Sequence, residues 1–135
     1  MVEYKLINDG VGRKADIYSV VNRDAEVYSE YISGLENKDR KKFVSLFDFI
    51  KELGIIKIKE KYEVITGTDV VELKILNYRI LAHRTKTITK YKYIVLLGFK
   101  KPKKGTQQRK IELAKKMSLE IIAGNAIETT GGGNG

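Results

Sequence analysis

The stretch from Val70 to Lys101 contains three strand-like runs, and it constrains the fold of this 135-residue chain more than any other segment. In the first run, Val70–Ile75, apolar residues alternate with Glu72 and Lys74, as in a strand with one buried face. The third run, Tyr91–Phe99, is apolar with little alternation, which predicts a strand at the centre of a sheet. These runs therefore predict an antiparallel sheet.

A two-residue loop, Leu76–Asn77, is the predicted connection between the first run and the second. In that register Lys74 faces Arg79 across the hairpin. Because cross-strand partners share a face, the two cations are expected side by side, with His83 further along the strand of Arg79. A change of one residue in the length of the loop would break this pairing.

The rest of the chain predicts elements that cover such a sheet. Strands are expected near residues 2–7 and 15–21, and a short helix at residues 27–35. The next helix ends at Gly54 and has an apolar stripe that is more typical of a core face than of a partner groove: Phe43, Leu46, Phe47, Ile50 and Leu53. Thr106 can cap a last helix.

The predicted fold class is α+β, with a small antiparallel or mixed sheet and two N-terminal helices and a C-terminal helix packed on one face of it. Residues 1–124 are expected to form a single domain. Residues 125–135, NAIETTGGGNG, have no core-forming pattern and are expected to be a disordered Gly-rich tail.

Composition narrows the possible functions. The 26 Lys and Arg residues exceed the 17 Asp and Glu residues, and the net charge of +9 favours a polyanionic partner. The chain has no cysteine and a single histidine, which argues against disulfides and zinc sites. No apolar run reaches the ~20 residues that span a bilayer, and the N-terminus has no secretory pattern. We therefore expect a cytoplasmic protein without a membrane partner.

The run ELKILNYRIL, followed by IVLLGFKK, a lysine-rich turn and RKIELAKK, resembles the RelE/ParE toxin superfamily. It is more narrowly similar to the HigB-like, phage-derived branch, which has E-L-R, Y-R-I/V and V-L-L-x-x-F-x-K-K strands and then an E-I-x-x-A helix. The resemblance covers about residues 15–122. It implies a RelE-like fold and a metal-independent, cofactor-free endoribonuclease that cleaves messenger RNA, often at the ribosome. It also implies a cognate antitoxin, expected to be a helix-turn-helix protein.

The resemblance also implies roles for particular residues. Arg79 matches the arginine of the Y-R strand and is the first candidate for stabilising the phosphorane-like transition state. Lys74 stands where the family has the arginine of E-L-R, and His83 is the candidate acid or base. Further phosphate contacts are expected from cations near the ends of the strands and in the basic turn, namely Arg84, Lys100, Lys101, Lys103 and Lys104. The structural alternatives are an ion pair of Arg79 with Glu72 and a structural histidine.

Three functions remain open from the sequence. The first is a messenger RNA endonuclease of a toxin–antitoxin pair. The second is a relative with weak or no catalysis that binds RNA or the ribosome, because Lys74 replaces arginine and no tyrosine or histidine follows Tyr93. The third is a protein-interaction module on the same fold, such as a gyrase-inhibiting toxin or a phage accessory protein.

Overall fold

The computed structural model describes residues 1–101 and 106–129. The elements in this part of the chain are, in order, β1 (Val2–Leu6), β2 (Ala15–Asn22), β3 (Ala25–Glu26), α1 (Val27–Ser33), α2 (Asn37–Leu53), β4 (Tyr62–Val64), β5 (Val70–Ile75), β6 (Tyr78–Lys86), β7 (Tyr91–Lys100), α3 (Thr106–Ile122) and β8 (Ala126–Glu128). Within these residues no helix is long and apolar enough to cross a membrane.

The strands form one mixed sheet in the order β4-β5-β6-β7-β2-β1-β8, and β3 pairs with β2. β7 lies at the centre, antiparallel to β6 and parallel to β2. The α+β fold class and the central position of the third apolar run are confirmed. The central position follows from the lack of alternation in β7, whose residues Tyr93 to Leu96 are all buried.

The helices cover both faces of the sheet rather than one. Phe43, Phe47 and Ile50 of α2 pack with Ile80 and other residues of one face. Residues of the opposite face, among them Val70, Leu81, Ile94 and Leu96, pack with Ala114 of α3. The expectation of helices on a single face was wrong, because the alternating residues of the central strands are apolar on both sides and each side needs a cover.

The hairpin between β5 and β6 has the predicted register. Lys74 pairs with Arg79 across the two-residue turn at Leu76 and Asn77. Leu76 takes the left-handed backbone conformation, with φ of 54°. The pairing of β6 with β7 shifts by one residue between Leu81 and Ala82, which marks a bulge. The hairpin therefore places its turn, and the cations beside it, at one end of the sheet.

Part of the segment expected to be a disordered tail is a strand. Ala126–Glu128 pair in parallel with β1, and Thr129 N donates to Tyr4 O over 2.7 Å. The prediction failed for these residues because the free edge of β1 offers backbone groups to any extended segment, whatever its composition. Residues 130–135 of the predicted tail lie outside the described residues.

Candidate functional site

The predicted site residues do not form one exposed cationic surface. Arg79 and His83 lie on the face that α3 covers, and both are buried. Arg84 lies on the opposite face of the sheet, and Lys100 and Lys101 are exposed at the end of β7. The lysines predicted in the basic turn, Lys103 and Lys104, lie outside the described residues. The prediction of a shared surface was wrong, because the position of α3 could not be read from the strand pattern.

Arg79 is held by the hairpin itself. Its Nη1 donates to the carbonyl of Leu76 over 2.7 Å and to that of Tyr78 over 3.0 Å. Its Nε lies 3.2 Å from Glu72 Oε2, an ion-pair distance, although this N–H is not aligned for a hydrogen bond. Glu72 in turn accepts from Gln107 Nε2 of α3 over 3.0 Å. The guanidinium therefore ties the turn, β5 and the start of α3 together.

His83 of β6 contacts α3 through a hydrogen bond. The ring is fully buried, and its Nδ1 lies 2.7 Å from Ser118 Oγ. Its Nε2 has no hydrogen-bond partner among the described residues. Burial lowers the pKa of His83, so that the neutral imidazole prevails near pH 7. A substrate cannot reach this ring while α3 is in place.

Lys74 is the predicted catalytic residue that remains accessible. Its Nζ donates to Glu63 of β4, and one fifth of the side chain is exposed. The hydrogen bond from Lys74 lowers the pKa of the Glu63 carboxyl, which is therefore ionised at neutral pH. A cation and a carboxylate thus stand side by side at the edge of the sheet.

Arg84 begins a chain of hydrogen bonds that the sequence did not suggest. Its Nη1 donates to Tyr62 over 2.9 Å, and the Tyr62 hydroxyl contacts that of Tyr93. Tyr93 then donates to the carbonyl of Gly54 over 2.6 Å. Burial raises the pKa of Tyr93, so its hydroxyl stays protonated. The chain fixes the end of α2 against β4 and β7.

A groove opens beside this chain, and we call it the lysine groove. Its volume is about 1330 Å³, and it lies between α2, residues 55–61, the β5–β6 turn and the β6–β7 loop. Eight of its lining residues are lysines, namely Lys14, Lys41, Lys42, Lys57, Lys61, Lys74, Lys86 and Lys90. Glu60 is the single acidic residue among the described residues that line it.

Most of the positive charge in the lysine groove is not neutralised by the protein. Lys74 pairs with Glu63, and Lys90 pairs with Asp16 over 3.0 Å. No ion pair within the described residues engages the other six lysines. Charges of one sign gathered in a concave surface focus the field and attract polyanions. The lysine groove is therefore a surface suited to binding an anionic ligand.

The sequence pattern missed the lysine groove because its lysines come from five separate segments. The nearest signal is in α2, where Lys41, Lys42 and Phe49 lie off the buried apolar stripe. Such residues read as an ordinary solvated helix face. Only the packing of α2 against the sheet brings them into one groove with Lys86, at the end of β6, and Lys90 of the β6–β7 loop.

Comparison with known proteins gives one family. A family model described as "Phage derived protein Gp49-like (DUF891)" matches residues 30–118, well over half of the chain. No protein among the curated sequences matches the chain. The matched segment runs from α1 into α3 and includes the β5–β6 hairpin and most of the residues that line the lysine groove.

Proposed function

We propose that this chain, which belongs to the Gp49-like family of phage-derived proteins within the RelE/ParE-like toxin superfamily, cleaves messenger RNA as the toxin of a HigB-type toxin–antitoxin pair. A toxin-like family implies an antitoxin partner. The observation that carries the proposal is the lysine groove, with eight lysines and one carboxylate among its described lining residues.

The lysine groove suits a single strand of RNA. Lysines of α2 line the same groove as Lys86 and Lys90, so a phosphate backbone in the groove can meet cations from both parts of the chain. Lysine binds phosphate as a point charge and needs no fixed geometry. Such contacts are independent of base sequence, which fits a substrate as varied as messenger RNA on the ribosome.

Lys74 and Glu63 are the groups that we assign to cleavage. In the proposed step the Glu63 carboxylate accepts the proton of a 2′-hydroxyl, whose oxygen attacks the adjacent phosphorus. The bond from phosphorus to the 5′-oxygen breaks, and Lys74 gives that oxygen a proton. The products are a 2′,3′-cyclic phosphate and a 5′-hydroxyl, and the residues need no metal ion. Arg79, through the turn beside Lys74, acts as a positioning residue.

The test is cleavage of a synthetic messenger RNA, free and on ribosomes, in the presence of EDTA. The Lys74→Ala variant is expected to cleave at least about 10²-fold more slowly than the wild type, since it lacks the group that protonates the leaving 5′-oxygen. Lys116→Ala, which removes an exposed lysine of α3 outside the groove, is the matched control. Cleavage by Lys74→Ala at the wild-type rate would contradict the assignment of Lys74 to the cleavage step.

The burial of Arg79 and His83 favours a second candidate, an RNA- or ribosome-binding protein without cleavage. His83, the one histidine of the chain, is buried beneath α3. Arg79, which was expected to contact the phosphate, forms an ion pair with Glu72. In this case the wild type binds RNA and arrests translation, yet full-length RNA is recovered. Separating the products on a denaturing gel distinguishes the two candidates.

A further inference from the structure

Four adjacent strands, β7, β2, β1 and β8, each contribute one polar side chain to a cluster on the face of the sheet that α3 covers. We call it the tyrosine cluster, and its members are Lys92, Tyr18, Tyr4 and Glu128. The register pairs Tyr4 directly with Glu128, and Lys92 with Asp16, two residues before Tyr18. The proposed RNA contact uses none of these four residues, because none of them lines the lysine groove.

Lys92 is held in place by the two tyrosines. Its Nζ lies 4.7 Å from the ring centroid of Tyr4 and 4.6 Å from that of Tyr18, and it donates to the Tyr4 hydroxyl over 3.0 Å. The two rings stand edge to face with their centroids 5.7 Å apart. Cation–π contacts with both rings position the ammonium group, and Tyr4 takes only one of its three N–H donors. Since 24% of the Lys92 side chain is exposed, a ligand can reach it.

Glu128 is the anion of the tyrosine cluster, and it is held weakly. Its Oε1 lies 3.7 Å from Lys92 Nζ, which is an ion-pair distance beyond the length of a hydrogen bond, and 48% of its side chain is exposed. Burial raises the pKa of Tyr18, and the nearby Glu128 carboxylate raises it further, so the Tyr18 hydroxyl is a protonated donor. The Tyr4 hydroxyl accepts from Lys92, so its own O–H can donate to an anion. One ammonium and two hydroxyl groups therefore lie near an exposed carboxylate.

The neighbouring carboxylate of Asp16 does not neutralise Lys92. Its Oδ1 accepts from Gly12 N over 3.0 Å and from Lys90 Nζ over 3.0 Å. Within the described part of the chain, the one ion pair of Lys92 is that with Glu128. Exposed ion pairs of this kind contribute little to stability, so an anionic ligand can displace Glu128 at little cost.

We propose that Lys92, Tyr4 and Tyr18 form a binding site for a phosphate group, with Glu128 of the C-terminal strand as its internal competitor. Phosphate fits because each of its oxygens can accept from a different donor, and charge-assisted hydrogen bonds are the strong ones. The net charge of +9 favours such an anion. Inorganic phosphate and the phosphate of a nucleotide are the two sources of this group. The site goes beyond the proposed cleavage of RNA and does not depend on it.

The test is a titration of the protein with inorganic phosphate and with uridine 5′-monophosphate at constant ionic strength, followed by the NMR signals of the backbone amides. Both probes are expected to give saturating shifts in the tyrosine cluster. A lower Kd for the nucleotide assigns part of the contact to the nucleoside, and equal Kd values assign it to the phosphate alone; either result upholds the site.

Lysine variants locate the charge that binds phosphate. Lys92→Ala is expected to raise the Kd at least about tenfold, because charge-assisted hydrogen bonds are lost. The matched control is Lys115→Ala, which removes a lysine that pairs with Glu112 of α3 over 3.4 Å. It lies outside the tyrosine cluster and is expected to change the Kd by less than about twofold, since salt screens distant exposed charges. Thermal unfolding verifies that each variant is folded.

Two conservative changes test the site without removing Lys92. Glu128→Gln is expected to lower the Kd about two- to fivefold, the factor that corresponds to an exposed ion pair, because the competing carboxylate is gone. Glu112→Gln is its control and leaves the Kd unchanged. Tyr4→Phe with Tyr18→Phe retains both rings and is expected to raise the Kd at least about threefold, because two donors are lost.

The outcomes separate this inference from the proposed function. An unchanged Kd in Glu128→Gln, or in the double phenylalanine variant, overturns the phosphate site. Shifts confined to the lysine groove overturn it as well. Lys41→Ala with Lys42→Ala is expected to weaken RNA binding and to leave the Kd for phosphate at the tyrosine cluster unchanged. Phosphate binding at the tyrosine cluster by a protein that binds no RNA upholds the site and overturns the RNA function alone.

Discussion

At the scale of single residues, burial converts two predicted catalytic groups into structural ones. Arg79 has 8% of its surface exposed and sits against Glu72, whose other contact is Gln107 of α3. Breaking such a buried pair by removing one partner leaves an uncompensated charge and costs roughly 3–5 kcal/mol. A charge held in this way stabilises the hairpin and its contact with α3, and a phosphate would have to displace Glu72 to reach it.

His83 makes the stability of the protein depend on pH. Burial lowers its folded pKa below the ordinary 6.5, so the unfolded state binds a proton more readily. The contribution of His83 to the free energy of unfolding is therefore fully present above about pH 6.5. It decreases as the pH drops toward the folded pKa, by at most about 1.4 kcal/mol per pH unit. Urea unfolding at pH values between 7.5 and 5 is expected to show this loss in the wild type.

The matched variant is His83→Gln, which retains polarity but does not titrate. Its stability is expected to be lower at every pH and to vary less than that of the wild type between about pH 6.5 and 5. Carboxylates titrate in both proteins, so the difference between the two curves isolates the histidine. Parallel curves would contradict the assignment of the pH dependence to His83.

At the scale of elements, the turn of the β5–β6 hairpin contains a residue in a strained backbone conformation that also lines the lysine groove. Leu76 lies in its turn with φ of 54°, a conformation that costs a residue with a Cβ about 1–2 kcal/mol. Leu76→Gly is expected to raise the free energy of unfolding by about 1 kcal/mol, because glycine adopts this conformation without strain. The same change removes an exposed leucine from the lining of the lysine groove.

The control for Leu76→Gly is Ile88→Gly. Ile88 is also apolar, is more exposed than Leu76 and lines the same groove, but its φ is not positive. Glycine is expected to destabilise the protein there by roughly 0.5–1 kcal/mol, since it adds only chain entropy to the unfolded state. Chemical denaturation of both variants provides the measurement. Equal destabilisation by the two changes would show that the turn is not strained.

At the scale of the whole molecule, the net charge is +9, and eight of the lysines that contribute to it line the lysine groove. If four to six groove lysines neutralise phosphates, the plot of log K against log salt for single-stranded RNA is expected to have a slope of about −3 to −4. Lys41→Ala with Lys42→Ala is expected to reduce the slope by about 1.4, and Lys116→Ala to leave it unchanged. A flat dependence in the wild type would mean that the charge serves only solubility.

Local pattern was sufficient for the central strands but not for the C-terminal edge strand or for the helices that cover the sheet. Alternation in β5, the two-residue turn and the apolar run of β7 predict the Lys74–Arg79 pairing, which the register confirms. The stripe of α2 was also identified correctly, with Phe43, Leu46, Phe47 and Ile50 buried and Leu53 left exposed. What failed was the side on which α3 packs. A helix with one apolar face can pack on either face of a sheet, and the sequence of the helix does not indicate which face it covers.

Strands β5, β6 and β7, the register of their hairpin and the excess of positive charge were predictable from the sequence, because these depend on periodicity, turn length and composition within a few neighbouring residues. Tertiary structure alone decided that α3 buries Arg79 and His83 and that lysines from five segments line one groove. The physical reason is distance along the chain. Whether a cation is neutralised by a carboxylate or left free for a ligand depends on contacts between segments that only packing brings together.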